Sequence, residues 1–259
     1  MTWFMSLKSN TPVPFWRCLA YNIAIAIWTV LSGGVLAPMA VFSKRWADKI
    51  TPLWTTGALW LAKHICGQTF EIRGQEHIMY QEFIMVCKHQ SAFEIIILLN
   101  QFPTARFVIK KELLWLPVFG QYLWRIGMVP IDRGDTGNVM EKMMDKARRL
   151  VINQRRPLII FPEGTRAPAG EKTKYQPGYA VMYDQFKLPI SPVAINTGVY
   201  WPKSRWKKTA GCSVIEFLPV IEPGLSMRQC LKQVKTSIET KSAELYEEAI
   251  GQIEEAGSN

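Results

Sequence analysis

The sequence is short of the signatures that announce cofactor-driven chemistry. It contains no P-loop, no G-x-G-x-x-G and no H-E-x-x-H, so neither nucleotide nor metal chemistry is written into it. It also lacks G-x-S-x-G, which speaks against a hydrolase built on a serine nucleophile elbow. Five cysteines, at 18, 66, 87, 212 and 230, include no C-x-x-C pair. An odd, unpatterned set argues against a zinc knuckle or a disulfide framework and suits reduced thiols in a cytosolic setting. There are three histidines, His64, His77 and His89. Acid is short relative to base, 21 Asp plus Glu against 31 Lys plus Arg, which leaves a net charge of +10. Such a surplus points to an anionic partner: a phosphorylated substrate, a lipid headgroup surface or a nucleic acid. A merely solvated basic surface has the same composition.

What is present is apolar and aromatic. With 48 % apolar and 20 % charged residues over 259, the chain is neither disordered, nor collagen-like, nor a polytopic membrane protein. Ten tryptophans favour places that are half apolar and half wet. Cys18–Ser43 is a run of 26 residues without a charge. As one helix it would extend roughly 39 Å, beyond the ~30 Å hydrocarbon core of a bilayer. Ser32-Gly33-Gly34 and Pro38 interrupt it, so a spanning helix and one that enters and turns back both fit. A second helix is predicted with Thr51 as N-cap, Pro52 in the first turn and Gly67 as stop. Leu53, Trp54, Ala58, Leu61 and Ile65 recur within it at helical spacing. A soluble core helix shows the same spacing. Two adjacent apolar helices rich in Trp predict instead a membrane-associated pair in residues 1–67.

From residue 68 to 259 short apolar runs alternate with helical ones, the pattern of an α/β domain. Strands are predicted at 70–72, 83–87, 107–109, 128–131, 158–161, 190–195 and 214–220. Helices are predicted at 91–101, 138–153 and 226–255, with a helical stretch between the third and fourth strands. In open α/β sheets ligands bind outside the carboxyl ends of strands. Three such ends are rich in polar residues: Lys88 to Glu94, Asp132-Arg133, and Pro162 to Arg166.

His89 and Glu94 form the first constellation. A carboxylate that holds an imidazole in one tautomer leaves its other nitrogen free to take a proton from a hydroxyl. Five residues along one helix turn through ~500°, so the two meet only if the chain bends from strand into helix, with Ser91 as N-cap. Ser91-x-x-Glu94 is equally a capping box, in which Glu94 bonds back to a backbone N–H. The second constellation is cationic. Arg133 and Arg166 follow two strands, and Lys110 and Lys111 follow a third. Guanidinium forks grip a phosphomonoester in pairs. Gly164 permits close backbone approach, and Glu163 either orients the cations or binds a hydroxyl. Taken singly, Asp132–Arg133 and Glu163–Arg166 also read as surface ion pairs. A third stretch, Trp201 to Lys208, mixes Trp with Lys and Arg and is predicted to face a lipid surface. No recognition motif supports nucleic acid there.

At these residues the chain resembles the lysophosphatidic acid acyltransferases, the 1-acyl-sn-glycerol-3-phosphate acyltransferase family, most closely its proteobacterial members. Lys88 to Glu94 stands where the family has His-x4-Asp. Lys110-Lys111-Glu112-Leu113 and Gly127–Arg133 are similar to its second block, and Phe161-Pro162-Glu163-Gly164-Thr165-Arg166 matches its third. Leu188 to Ala194 is similar to its fourth. The resemblance implies a glycerol-3-phosphate acyltransferase-like α/β domain, with a mixed sheet flanked by helices, behind a membrane-seated helix pair. It implies His89 and Glu94 as the catalytic pair. Lys110, Lys111, Arg133, Glu163, Gly164, Thr165 and Arg166 are the substrate-binding set. The implied reaction moves a fatty acyl group from acyl-CoA or acyl carrier protein to the 2-hydroxyl of lysophosphatidic acid, without cofactor or metal. The implied place is the inner (cytoplasmic) membrane, with the catalytic domain on its cytoplasmic face. An acyltransferase for another lysolipid, or a non-catalytic protein that binds anionic lipid, are the alternatives. Glu94 departs from the family's usual Asp by one methylene.

Overall fold

The fold is that of a computed structural model, which describes residues 9–42, 44–78, 82–115, 119–131, 138–204 and 206–258. Seven strands form one sheet. They are β1 (Gln68–Arg73), β2 (Ile84–Cys87), β3 (Arg106–Lys110), β4 (Val129–Ile131), β5 (Leu158–Ile160), β6 (Ile190–Ile195) and β7 (Gly211–Phe217). Their order is β1-β7-β6-β2-β5-β3-β4. The block from β6 to β4 is parallel throughout, and β7 joins it antiparallel to β6, with β1 parallel to β7. The sheet is therefore mixed, as expected.

Period-2 alternation splits each central strand between two cores. Met85, Cys87, Ile159, Val193, Ile195 and Ile215 face one. Ile84, Val86, Leu158, Ile160, Ala194 and Val214 face the other. The first core is covered by α1 (Phe15–Phe42), α2 (Lys44–Cys66), α3 (Phe93–Gln101) and α4 (Phe119–Ile126). The second is covered by α5 (Asn138–Arg148), α6 (Gly178–Phe186) and α8 (Met227–Ser258). One turn, α7 (Thr197–Tyr200), follows β6. Neither α6 nor α7 stands out in the sequence.

Several boundaries differ from expectation. Ser32-Gly33-Gly34 and Pro38 do not interrupt α1, which runs 28 residues. Nor does α2 start at Thr51: it begins at Lys44 and carries Pro52 in its interior. Pro52 forfeits one backbone hydrogen bond to the preceding turn, and packing of α2 against α1 outweighs that loss. Trp28 Nε1 donates to the carbonyl of Trp54 at 3.0 Å, and Trp54 Nε1 donates to Thr29 Oγ1 at 3.1 Å. The contact depends on Gly57, where a Cβ would stand 2.4 Å from the Trp28 ring.

Cys18 and Tyr21 of α1 and Ile50, Ala62, Ile65 and Cys66 of α2 share the first core with Phe93, Phe107 and Val193. The segment before α1 is stitched on too: Val13 N–H donates to the Lys208 carbonyl at 2.8 Å, and Asn10 N–H to that of Ala210 at 2.7 Å. The opposite side of α1 presents Phe15, Trp16, Leu19, Ile23, Ile27, Val30 and Leu31 to solvent. Leu53 and Trp60 of α2 and Trp124 of α4 are exposed as well. Among the described residues one stretch, Phe15–Ser32, is long and apolar enough to cross a membrane, with mean hydropathy 1.3.

The basic aromatic loop is only partly a surface. Trp201 is buried against Phe93 and Tyr21, and Lys208 is buried with its ammonium 4.6 Å from the Trp201 ring centroid. Burial lowers the Lys208 pKa. Trp206 is exposed beside Phe15, with centroids 5.5 Å apart. Arg205 lies outside the described residues.

Gly57→Leu forces overlap with Trp28 and is expected to cost about 1–3 kcal/mol. Gly251→Ala, in open space on α8, is expected to gain roughly 0.5–1 kcal/mol. Thermal unfolding midpoints of the two proteins check the contrast.

Candidate active site

Strands β6, β2, β5, β3 and β4 run the same way, so the segments that follow them leave one edge of the sheet. His89 follows β2 and the Pro162–Arg166 loop follows β5. Lys110 ends β3, and Thr197 follows β6. Neighbouring strands lie about 4.8 Å apart, which brings these residues to one crevice although 108 positions separate His89 from Thr197.

His89 Nδ1 is 2.7 Å from Glu94 Oε1. Glu94 is fully buried, and its two oxygens accept four other hydrogen bonds. Gln90 N–H at 2.9 Å and Ser91 N–H at 2.8 Å reach Oε1, while Ser91 N–H at 2.9 Å and Thr197 Oγ1 at 2.8 Å reach Oε2. Ser91 Oγ in turn accepts from Phe93 N–H at 3.0 Å. Both contacts expected of Glu94 are made: the carboxylate accepts from the Ser91 N–H just ahead of α3, whose N-cap is Ala92 rather than Ser91, and it meets the imidazole. The ring of His89 stacks on Phe161 at 4.1 Å, and 15 % of the side chain is exposed. With Nδ1 held by the carboxylate, Nε2 is the ring nitrogen left without a hydrogen bond among the described residues.

The β5 loop is fastened to the histidine by its backbone. His89 N–H donates to Glu163 Oε1 at 3.2 Å, and Ala167 N–H donates to the His89 carbonyl at 2.8 Å. Gly164, at φ +68°, supplies the left-handed turn between them. Arg166 and Thr165 are therefore neighbours of His89. Arg166 has no hydrogen bond or ion pair among the described residues and is half-buried. Lys110 and Lys111 are exposed at the end of β3. Arg133 lies outside the described residues. Lys88 turns away into the interior, where its ammonium meets Glu239 Oε2 of α8 at 2.7 Å and the Glu171 carbonyl at 2.9 Å.

Behind the site lies a buried polar cluster. Glu163 Oε2 and Glu239 Oε1 have no partner among the described residues. Burial pushes the Glu163 carboxyl up to about 7, against the pull of its backbone hydrogen bonds. Burial, and then the charges of Glu94 and Glu163, push the Cys87 thiol well above its ordinary range. Cys87 is therefore a poor nucleophile. No cluster of metal-ligating side chains occurs among the described residues.

The family model "Acyltransferase" matches residues 69–196, which contain His89, Glu94 and the β5 loop. The 1-acyl-sn-glycerol-3-phosphate acyltransferase of Pseudomonas aeruginosa is 34 % identical over 193 residues, covering 74 % of both chains. The chain belongs to the 1-acyl-sn-glycerol-3-phosphate acyltransferase family. The human alpha member is 30 % identical over 168 residues, 63 % of this chain and 59 % of its own length. The fold is that of the Thermotoga maritima 1-acyl-sn-glycerophosphate (LPA) acyltransferase PlsC, with a TM-score of 0.74 at 22 % identity, covering 89 % of this acyltransferase and 95 % of that chain.

Thr197 escaped the sequence reading of this acyltransferase. Its signal was positional: Asn196-Thr197 ends an apolar strand, as the His89 and Glu163 segments do. Its partner is 103 residues away, so no local pattern marks it.

The raised Glu163 pKa has a signed consequence. The native state keeps a proton that the unfolded chain releases between about pH 4.5 and 7, so stability falls as pH rises through that window, by on the order of 3 kcal/mol in all. Glu163→Gln is expected to flatten that fall. Unfolding midpoints of both proteins at pH 5 and 7.5 measure it.

Proposed function

We propose that His89 is the general base of a direct acyl transfer to lysophosphatidic acid. Its Nε2 takes the proton of the acceptor 2-hydroxyl as the oxygen attacks the thioester carbonyl of the acyl donor. The C–O bond forms, the C–S bond breaks, and the departing thiolate recovers the proton from the imidazolium. Glu94 holds the tautomer and stabilises the charged ring. The observation that carries this reading is the 2.7 Å Nδ1–carboxylate contact, with the opposite ring nitrogen at the edge that Arg166 shares.

Arg166, Arg133 and one of Lys110 or Lys111 hold the acceptor phosphate in this reading, and Gly164, Thr165 and Glu163 shape the pocket around it. A guanidinium without a partner among the described residues suits a phosphomonoester better than a neutral or zwitterionic headgroup. The donor is acyl-CoA or acyl carrier protein, both acidic and both suited to a chain of net charge +10.

The exposed apolar side of α1, with Trp60 and Trp124 nearby, seats the enzyme on lipid. Residues 1–67 supply that seat and residues 68–259 the chemistry. All five cysteines are free, in keeping with the cytoplasmic face of the inner membrane.

His89→Ala is expected to lower transfer by about 10²–10⁴-fold with an unchanged circular dichroism spectrum. Near-full activity of that purified protein defeats the mechanism. Arg166→Ala is expected to raise the KM for lysophosphatidic acid, leave the KM for the donor in place, and leave any slow transfer to monoacylglycerol unaffected.

A further inference from the structure

The inner face of α8 is apolar apart from one polar stripe. Cys230, Val234, Ile238 and Leu245 pack into the second core, and Glu239 and Ser242 are buried among them, three residues apart on the same side of the helix. Both reach strand ends that carry the site. Glu239 Oε2 meets the Lys88 ammonium at 2.7 Å, just past the end of β2. Ser242 Oγ accepts from Ile195 N–H at 3.4 Å at the end of β6, and one turn further on the Leu245 carbonyl accepts from Asn196 Nδ2 at 3.1 Å. Lys88 precedes His89 in the chain, and Asn196 precedes Thr197, whose hydroxyl donates to Glu94. One helix therefore fastens both ends of the His89–Glu94–Thr197 chain of contacts.

The ion pair is an expensive way to fasten a helix. A buried Lys and Glu lose hydration that an apolar pair of like volume would not, so such a pair is weak as a source of stability. Its geometry supplies another role. The Lys88 ammonium also donates to the Glu171 carbonyl at 2.9 Å, in the segment that follows Arg166. That segment already holds both peptide groups of His89: Glu163 Oε1 accepts from its N–H, and Ala167 N–H donates to its carbonyl. Lys88 thus ties the end of β2, the Arg166 loop and α8 at one atom. After the dominant effect of burial, the charge of Lys88 lowers the Glu163 pKa and that of Glu239 raises it, so the pair and the carboxyl beside His89 are also coupled electrostatically.

We propose that Glu239 is a positioning residue for the acyl transfer: acting through Lys88, it holds His89 and the Arg166 loop in register. The proposal rests on the reading of His89 as the base. Glu239 itself touches no substrate.

The test compares full-length protein, purified in detergent, with Glu239→Gln, which removes one charge at constant size, and Lys88→Met/Glu239→Gln, which removes both. Each is expected to lower kcat by about 10–10²-fold, the cost of a displaced catalytic group, and to leave the KM for lysophosphatidic acid in place. The His89 Nδ1–H signal in the nitrogen-15 histidine spectrum, identified by its loss in His89→Ala, is expected to shift in both variants. Glu248→Gln breaks the more exposed pair between α8 and Arg73 and is expected to keep wild-type kcat and an unmoved signal. Should Glu239→Gln not fold, the double variant, which leaves no unpaired charge at this position, carries the test. The proposal is overturned by an unmoved His89 signal, by a raised KM at wild-type kcat, by recovery of kcat in the double variant, or by an equal loss in Glu248→Gln. If His89→Ala itself stays active, the base reading fails, and the nitrogen-15 signal alone decides whether Glu239 positions the ring.

Discussion

A carboxylate with no solvent contact holds the candidate site together. Glu94 accepts from one imidazole, two backbone amides and one hydroxyl, and a buried charge survives only when its lone pairs are filled this way. The donors come from the loop after β2 and the turn after β6. Neighbouring positions of β2 and β6 in the sheet are therefore a condition for the histidine's orientation. The extra methylene of Glu relative to Asp fits this role, since the chain must reach back across the first helical turn and span both His89 and Thr197.

The parallel block of strands does the rest by geometry. Every strand from β6 to β4 ends at the same edge, so an imidazole, a guanidinium without a partner among the described residues and a raised-pKa carboxyl converge without any local sequence relation.

The helix pair is bound to the sheet by its inner face, and the outer side of α1 is left apolar. Tyr21 meets Trp201 edge to face and Trp201 stacks on Phe93, with the buried ammonium of Lys208 over Tyr21 and Trp201. A loop that reads from composition as a headgroup contact thus spends its two end residues, Trp201 and Lys208, on internal packing. Lys and Trp serve either purpose, because each joins a long apolar body to a polar tip. Composition cannot separate the two uses.

Much was legible from residues alone. Alternating apolar runs announced the α/β layers, and Ser91-x-x-Glu94 announced the turn that brings His89 to its carboxylate. Phe161 to Arg166 announced the loop beside it, since each of these signals lies within a few residues and depends on local backbone geometry. Tertiary structure alone decided that α2 runs through Pro52, because packing against Trp28 outweighs one lost hydrogen bond. It also decided that Lys88 leaves the site for Glu239 and that Thr197 completes the carboxylate's shell. Those outcomes rest on contacts between segments distant in the chain. Their energies depend on strand order and burial, and neither is encoded in any short stretch of sequence.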